Sequence, residues 1–99
     1  MKVTVKAIHF DASEKLLAFI NKKAEKLGKH HDDVLEMEVA LKVVKPETSM
    51  NKETAVKLLC PEHEDLFASK IADTFEEGLD LCIDALKRQL EKKKGKKQE

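Results

Sequence analysis

Hydrophobic and polar positions along this 99-residue chain follow two rhythms, one of period two and one of period 3.6. The first opens the chain. Val3, Val5 and Ala7 share one side of residues 2–8 and Lys2, Thr4 and Lys6 the other, which predicts a strand with one buried face. The rhythm then lengthens. Leu16, Leu17, Ile20, Ala24 and Leu27 recur at helical spacing within "FDASEKLLAFINKKAEKLGKHHDD", so an amphipathic helix follows, capped by Asp11 or Ser13 and stopped at Gly28. Period two returns in "VLEMEVALKVV", where Leu35, Met37, Val39, Leu41 and Val43 alternate with Glu36, Glu38, Ala40 and Lys42. "KPETSMNKE" breaks that strand with a turn or mobile loop, and "TAVKLLC" resumes it with Val56, Leu58 and Cys60 inward. "PEHE" turns the chain, and "DLFASKIA" gives a short last strand. A second helix closes the pattern on a stripe of Phe75, Leu79, Cys82, Ile83, Leu86 and Leu90. Asp73 with Glu76, or Thr74 with Glu77, supplies its capping box. Gly78 inside it costs about 1 kcal/mol relative to alanine, which predicts a neighbour packed close against the helix.

The element order is therefore β-α-β-β-β-α, an α+β fold with two helices on one face of a four-stranded, mostly antiparallel sheet. Leu41 and Ile83 belong to its buried interior. Residues 1–94 read as one domain and residues 95–99 as a basic flexible tail, with no internal repeat or linker between them.

Composition narrows this only in places. The four Phe are the only aromatics, so aliphatic side chains must fill the core. No apolar run approaches the ~18–20 residues of a membrane helix. The alternating N-terminus lacks the apolar centre of a secretory signal, so a cytoplasmic protein is expected. Cys60 and Cys82 form no CxxC pair and read as reduced, buried thiols.

Charge changes the picture more. Lysine plus arginine balance aspartate plus glutamate at 19 each, but the signs are segregated. Residues 1–30 hold seven lysines against three acids, residues 31–86 five against fourteen, and residues 87–99 seven basic residues against two acids. Along the first helix Lys15, Lys22, Lys26 and Lys29 fall close together in azimuth and make a ridge. The second helix ends in Lys87, Arg88, Lys92, Lys93, Lys94, Lys96 and Lys97. The macrodipole favours bases at a helix C-terminus, yet its influence fades within a turn and does not call for so many. Two cationic elements on one small domain can straddle two phosphate strands, which points to RNA held through shape and phosphate rather than base stacking. On the second helix, Asp80 is expected on the face turned away from the basic block.

Other chemistries find little to stand on. Of the four histidines, His30 and His31 sit in "HHDD", but adjacent residues rarely converge on one ion, and both are expected to extend the lysine ridge. No nucleophile with a paired base and no glycine-rich phosphate loop is visible, so neither an enzyme nor a cofactor is expected. A membrane-binding tail would need amphipathicity, and "EKKKGKKQE" has no apolar residue.

At this point the residues resemble a family. "LLAFINKKAEKLGKHHDDV…MEVALKVVK" is similar to the "ALREYVEKKLxKLxKYFDxI…VxLxVEK" pattern of ribosome hibernation-promoting factors. "DLCIDALKRQLEKKK" is similar to that family's "DxxxDKLxRQLxKxK", and the match is to its short form, the ribosome-associated translation inhibitor or sigma-54 modulation type. The resemblance implies a fold akin to a double-stranded RNA-binding domain, and binding to the small ribosomal subunit where mRNA and tRNA anticodon stems pass. It implies reversible silencing of translation in idle cells, by contact with rRNA, in competition with mRNA and tRNA. The protein would be a monomer off the ribosome and use no small-molecule substrate. By position, Lys22, Lys23, Lys26 and Lys29 match the family's basic residues on helix one, and Arg88, Lys92 and Lys94 those at the end of helix two. Two positions depart: Ala85 replaces a basic residue, and Phe75 lies one place before the family's aromatic, where Glu76 stands.

Overall fold

The computed structural model describes residues 1–44, 50–62 and 64–97, with side chains as far as Lys92 in the last helix. Its elements are β1 (Lys2–Ala7), α1 (Glu14–His30), β2 (Glu36–Val43), β3 (Lys52–Leu59), β4 (Leu66–Ala72) and α2 (Phe75–Lys97). The strands lie in the order β1-β2-β3-β4. β1 runs parallel to β2, and the other neighbours are antiparallel. Parallel neighbours cannot be joined by a tight turn, and α1 is the crossover that links them.

Both helices cover the same face. Leu16, Ile20, Ala24 and Leu27 of α1 and the predicted stripe of α2 meet Met37, Val39, Leu41, Val56 and Leu58 in one core. Leu41 is fully buried and Ile83 is 5% exposed, as the alternation and the stripe predict. The other face of the sheet is open. Thr4, Glu38, Lys57 and Phe67 form a row across the four strands, with Lys6, Ala40, Ala55 and Ser69 in the next. Its charges are of mixed sign.

Several local expectations are refined. Ser13 is the N-cap of α1, its Oγ accepting from the Leu16 N–H at 3.1 Å. Gly28 does not stop the helix. It lies inside α1 with an ordinary negative φ, and the chain continues to His30 before His31 closes the turn with an N–H bond to the Leu27 carbonyl. Leu17 is only half-buried, at the margin of its stripe. Leu35 is 59% exposed, because Val34 takes the core place and the pleat of β2 begins only at Glu36. Thr74 caps α2, accepting from the Glu77 N–H at 3.1 Å. Asp73 is engaged elsewhere: its Oδ1 accepts from the Met50 N–H at 2.7 Å and ties the β2–β3 connection to the start of α2. Of the turn expected in residues 45–53, residues 45–49 lie outside the described residues, as does His63, while Lys52 and Glu53 already belong to β3. α2 runs to Lys97.

Candidate nucleic-acid interface

The helices run side by side in the same sense. Phe10, just before α1, stacks on Phe75 at the start of α2 with ring centroids 5.3 Å apart. Further along, Lys23 Nζ lies 3.0 Å from Asp80 Oδ1. Further still, Lys26 and Leu27 border the same groove as Ile83, Asp84 and Lys87. Parallel packing places both negative dipole ends at one end of the molecule, where basic side chains are stabilised. Lys29 and His30 fill the last turn of α1 there, and α2 continues beyond it.

Of the basic residues singled out from the sequence, Lys22, Lys23, Lys26, Lys29 and Lys87 meet around two hollows. Lys22, Lys26, Lys29 and His30 surround the first, on the outer side of α1, with Glu25 the one acid among them. The second is the groove between the helices, floored by Leu27 and Ile83 and walled by Lys23, Lys26 and Lys87 against Asp80 and Asp84. Lys26 belongs to both, so the ridge of α1 and the basic half of α2 form one continuous surface. Lys87 stands on the α2 row that faces α1, whereas Arg88 and Lys92 stand on the next row round, exposed to solvent. The side chains of Lys93, Lys94, Lys96 and Lys97 lie outside the described residues.

Three sequence expectations change. Lys23, matched by position to the family's basic residues, is already engaged: it pairs with Asp80 and its ammonium sits 5.4 Å from the Phe19 ring centroid. Asp80 faces α1, not the far side of α2, because the parallel packing turns the row Asp80, Asp84 and Lys87 toward Lys23 and Lys26. His31 does not extend the ridge. It is 8% exposed at the C-cap, since the chain must turn inward there to reach Val34 and β2, while His30 stays outside. The helical period alone could have flagged the acidic row of α2, but not which neighbour it would meet.

Both cysteines are buried thiols that share no disulfide. Cys82 Sγ donates to the Thr54 carbonyl at 3.2 Å, and burial pushes its thiol up to about 11 against a downward pull from Lys70. It holds α2 to the sheet and is kept from reacting. Among the described residues no group of three or more His, Cys, Asp or Glu is placed to hold a metal ion, and no helix is long and apolar enough to cross a membrane.

Comparison with known proteins agrees with this architecture. Residues 3–98 match the family model described as sigma 54 modulation protein / S30EA ribosomal protein. A ribosomal subunit interface protein from Coxiella burnetii superposes with a TM-score of 0.83 at 20% identity, covering 96% of this chain and 99% of that one. The N-terminal domain of Protein Y from Thermus thermophilus superposes at 0.75 and 14% identity, covering 93% and 98%. Among individually curated proteins none matches the chain by sequence.

Proposed function

The chain belongs to the sigma 54 modulation protein / S30EA ribosomal protein family, and on that footing we propose that it is a ribosome hibernation factor of the cytoplasm. It binds the small subunit in the channel used by mRNA and tRNA, through rRNA phosphates, and blocks translation reversibly under stress or in stationary phase. The observation that carries this reading is the convergence of Lys22, Lys26, Lys29 and His30 with Lys87 on one end of the helical layer. Arg88 and Lys92 widen that surface, and Lys93, Lys94, Lys96 and Lys97 continue it along the sequence. Lys23 contributes once released from Asp80. The open sheet face, with its mixed signs, is poorly suited to a polyanion.

Inhibition on this reading is steric and stoichiometric, one protein for each particle. Purified protein should block translation in vitro only as its concentration approaches that of ribosomes, and preloaded mRNA with initiator tRNA should lower its occupancy. Affinity for small subunits should fall by about 0.7–0.9 log units per tenfold rise in salt for each phosphate neutralised. Permanent inactivation by sub-stoichiometric protein, or equal binding to programmed and empty subunits, contradicts the proposal. Equal affinity for naked RNA duplex and for subunits would instead mark a generic duplex-binding module.

A further inference from the structure

From the groove between the helices we infer that Asp80 and Asp84 are specificity-determining residues, which exclude phosphates from the middle of the basic surface and so select against bare duplex RNA. The inference rests on the reading of the helical layer as an rRNA-binding surface. It concerns which polyanion that surface refuses.

The geometry is specific. Asp80 Oδ1 lies 3.0 Å from Lys23 Nζ, with the two side chains 49% and 35% exposed, so the pair sits at the mouth of the groove and not in the core. One turn further along α2, Asp84 borders the same groove, beside Lys87 of its own helix and with Lys26 of α1 also in the lining. Two carboxylates thus stand among three lysines, whereas the hollow bordered by Lys22, Lys29 and His30 has Glu25 as its one acid, and Arg88 and Lys92 lie exposed on the next row round.

A solvated ion pair of this kind adds little to stability. Its effect on a polyanion is larger, because a phosphate entering the groove must displace Asp80 from Lys23 and then remain beside both carboxylates. A uniform duplex laid across the surface carries charge at every step along its axis and cannot avoid the groove. A folded RNA site whose phosphates flank the groove, and leave its centre empty, meets the outer cations without that penalty. The carboxylates therefore lower affinity for arbitrary duplex more than for a site of matching shape. This is selection by repulsion and not by added attraction.

The experiment compares the parent protein with a D80N/D84N variant on two targets, a 16-base-pair mixed-sequence RNA duplex and purified small ribosomal subunits, across a salt series. Duplex affinity should rise by about 3- to 10-fold at low salt. Its log–log salt slope should steepen by about 0.7–1.8, equivalent to one or two phosphates newly engaged. Affinity for small subunits should change by less than about twofold, and D80E/D84E, which keeps the charge, should bind duplex as weakly as the parent. Unchanged duplex affinity and slope overturn the inference, as does an equal gain on both targets or a gain in the glutamate variant. Should the double variant melt early, D84N alone carries the same test, since it leaves the Lys23–Asp80 pair in place. Failure of the parent to bind small subunits would overturn the function proposed above, while the duplex arm would still measure whether the groove repels phosphate.

Discussion

α1 and α2 lie side by side on one sheet, yet they are held there in different ways. α2 is seated tightly. A Cβ added to Gly78 would stand 2.6 Å from Thr54 Oγ1 and 3.2 Å from Thr54 Cβ, so the glycine lets helix and β3 approach closer than any side chain allows. Cys82 adds its bond to the Thr54 carbonyl, and Gln89 Nε2 donates to the Phe67 carbonyl on the exposed edge of β4 at 3.3 Å. α1 sits more loosely over β1. A hollow between them is lined by Met1, Val3, Asn21, Glu25 and Lys29, and a Cβ at Gly28 would meet Met1 at an unstrained 3.6 Å. Charge follows a similar division. α1 spreads its lysines along its length, whereas α2 has all its acids but Glu91 in its first half and its bases in its second. One helix is anchored by close packing, and the other leaves a broad charged side free. The comparison teaches that two helices with similar apolar stripes can carry unequal shares of stability and of binding.

The largest expected effect tests the charge side of that contrast. Replacing Lys29, Arg88 and Lys92 by glutamate should weaken small-subunit binding on the order of a hundredfold at moderate salt. Stability in thermal melting should fall by no more than about 1–2 kcal/mol, since all three are exposed and Lys29 alone sits in the last turn of α1. Normal binding with unchanged melting would reduce the basic end to a solubilising feature.

Next in size is Gly78→Ala. Although alanine is the better helix former, its methyl collides with Thr54, and a loss of about 1–3 kcal/mol in denaturant unfolding is expected. Thr54→Ala should recover part of that loss in the double variant, and simple additivity would deny the close approach.

Cys82 gives a pH dependence on the same helix. Its thiol titrates higher in the fold than when unfolded, so the stability it contributes is present below about pH 9 and is lost as pH rises toward 11. The slope from this group reaches about 1.4 kcal/mol per pH unit, and a Cys82→Ala variant should show a flatter alkaline decline.

The smallest effect carries the opposite sign. Gly28→Ala should stabilise the protein by up to about 1 kcal/mol, because the helix gains propensity and the new methyl meets only ordinary contact. A loss there comparable to that at Gly78 would erase the distinction between the two helices.

How much of this was legible beforehand follows from what periodicity records. A side chain's alternation or helical recurrence reports which side of its own element is buried, so the six elements, their order, the inward residues of β1 and β3, and the six-residue stripe of α2 could all be read from the chain. Even the close neighbour at Gly78 was foreshadowed by a costly residue in a helix interior, though Thr54 could not be identified. The exposure of Leu35 and the burial of His31 were hidden, because both lie where an element ends and the path to the next element sets the direction of the side chain. The lysine ridge and the basic end were visible as charge patterns. Their meeting was not, nor was the turn of Asp80 and Asp84 toward Lys23 and Lys26. A helical pattern fixes azimuth around one axis only. The angle, sense and spacing between two axes are set by how side chains from both helices and the sheet fill one shared interior, and only the tertiary structure decides that.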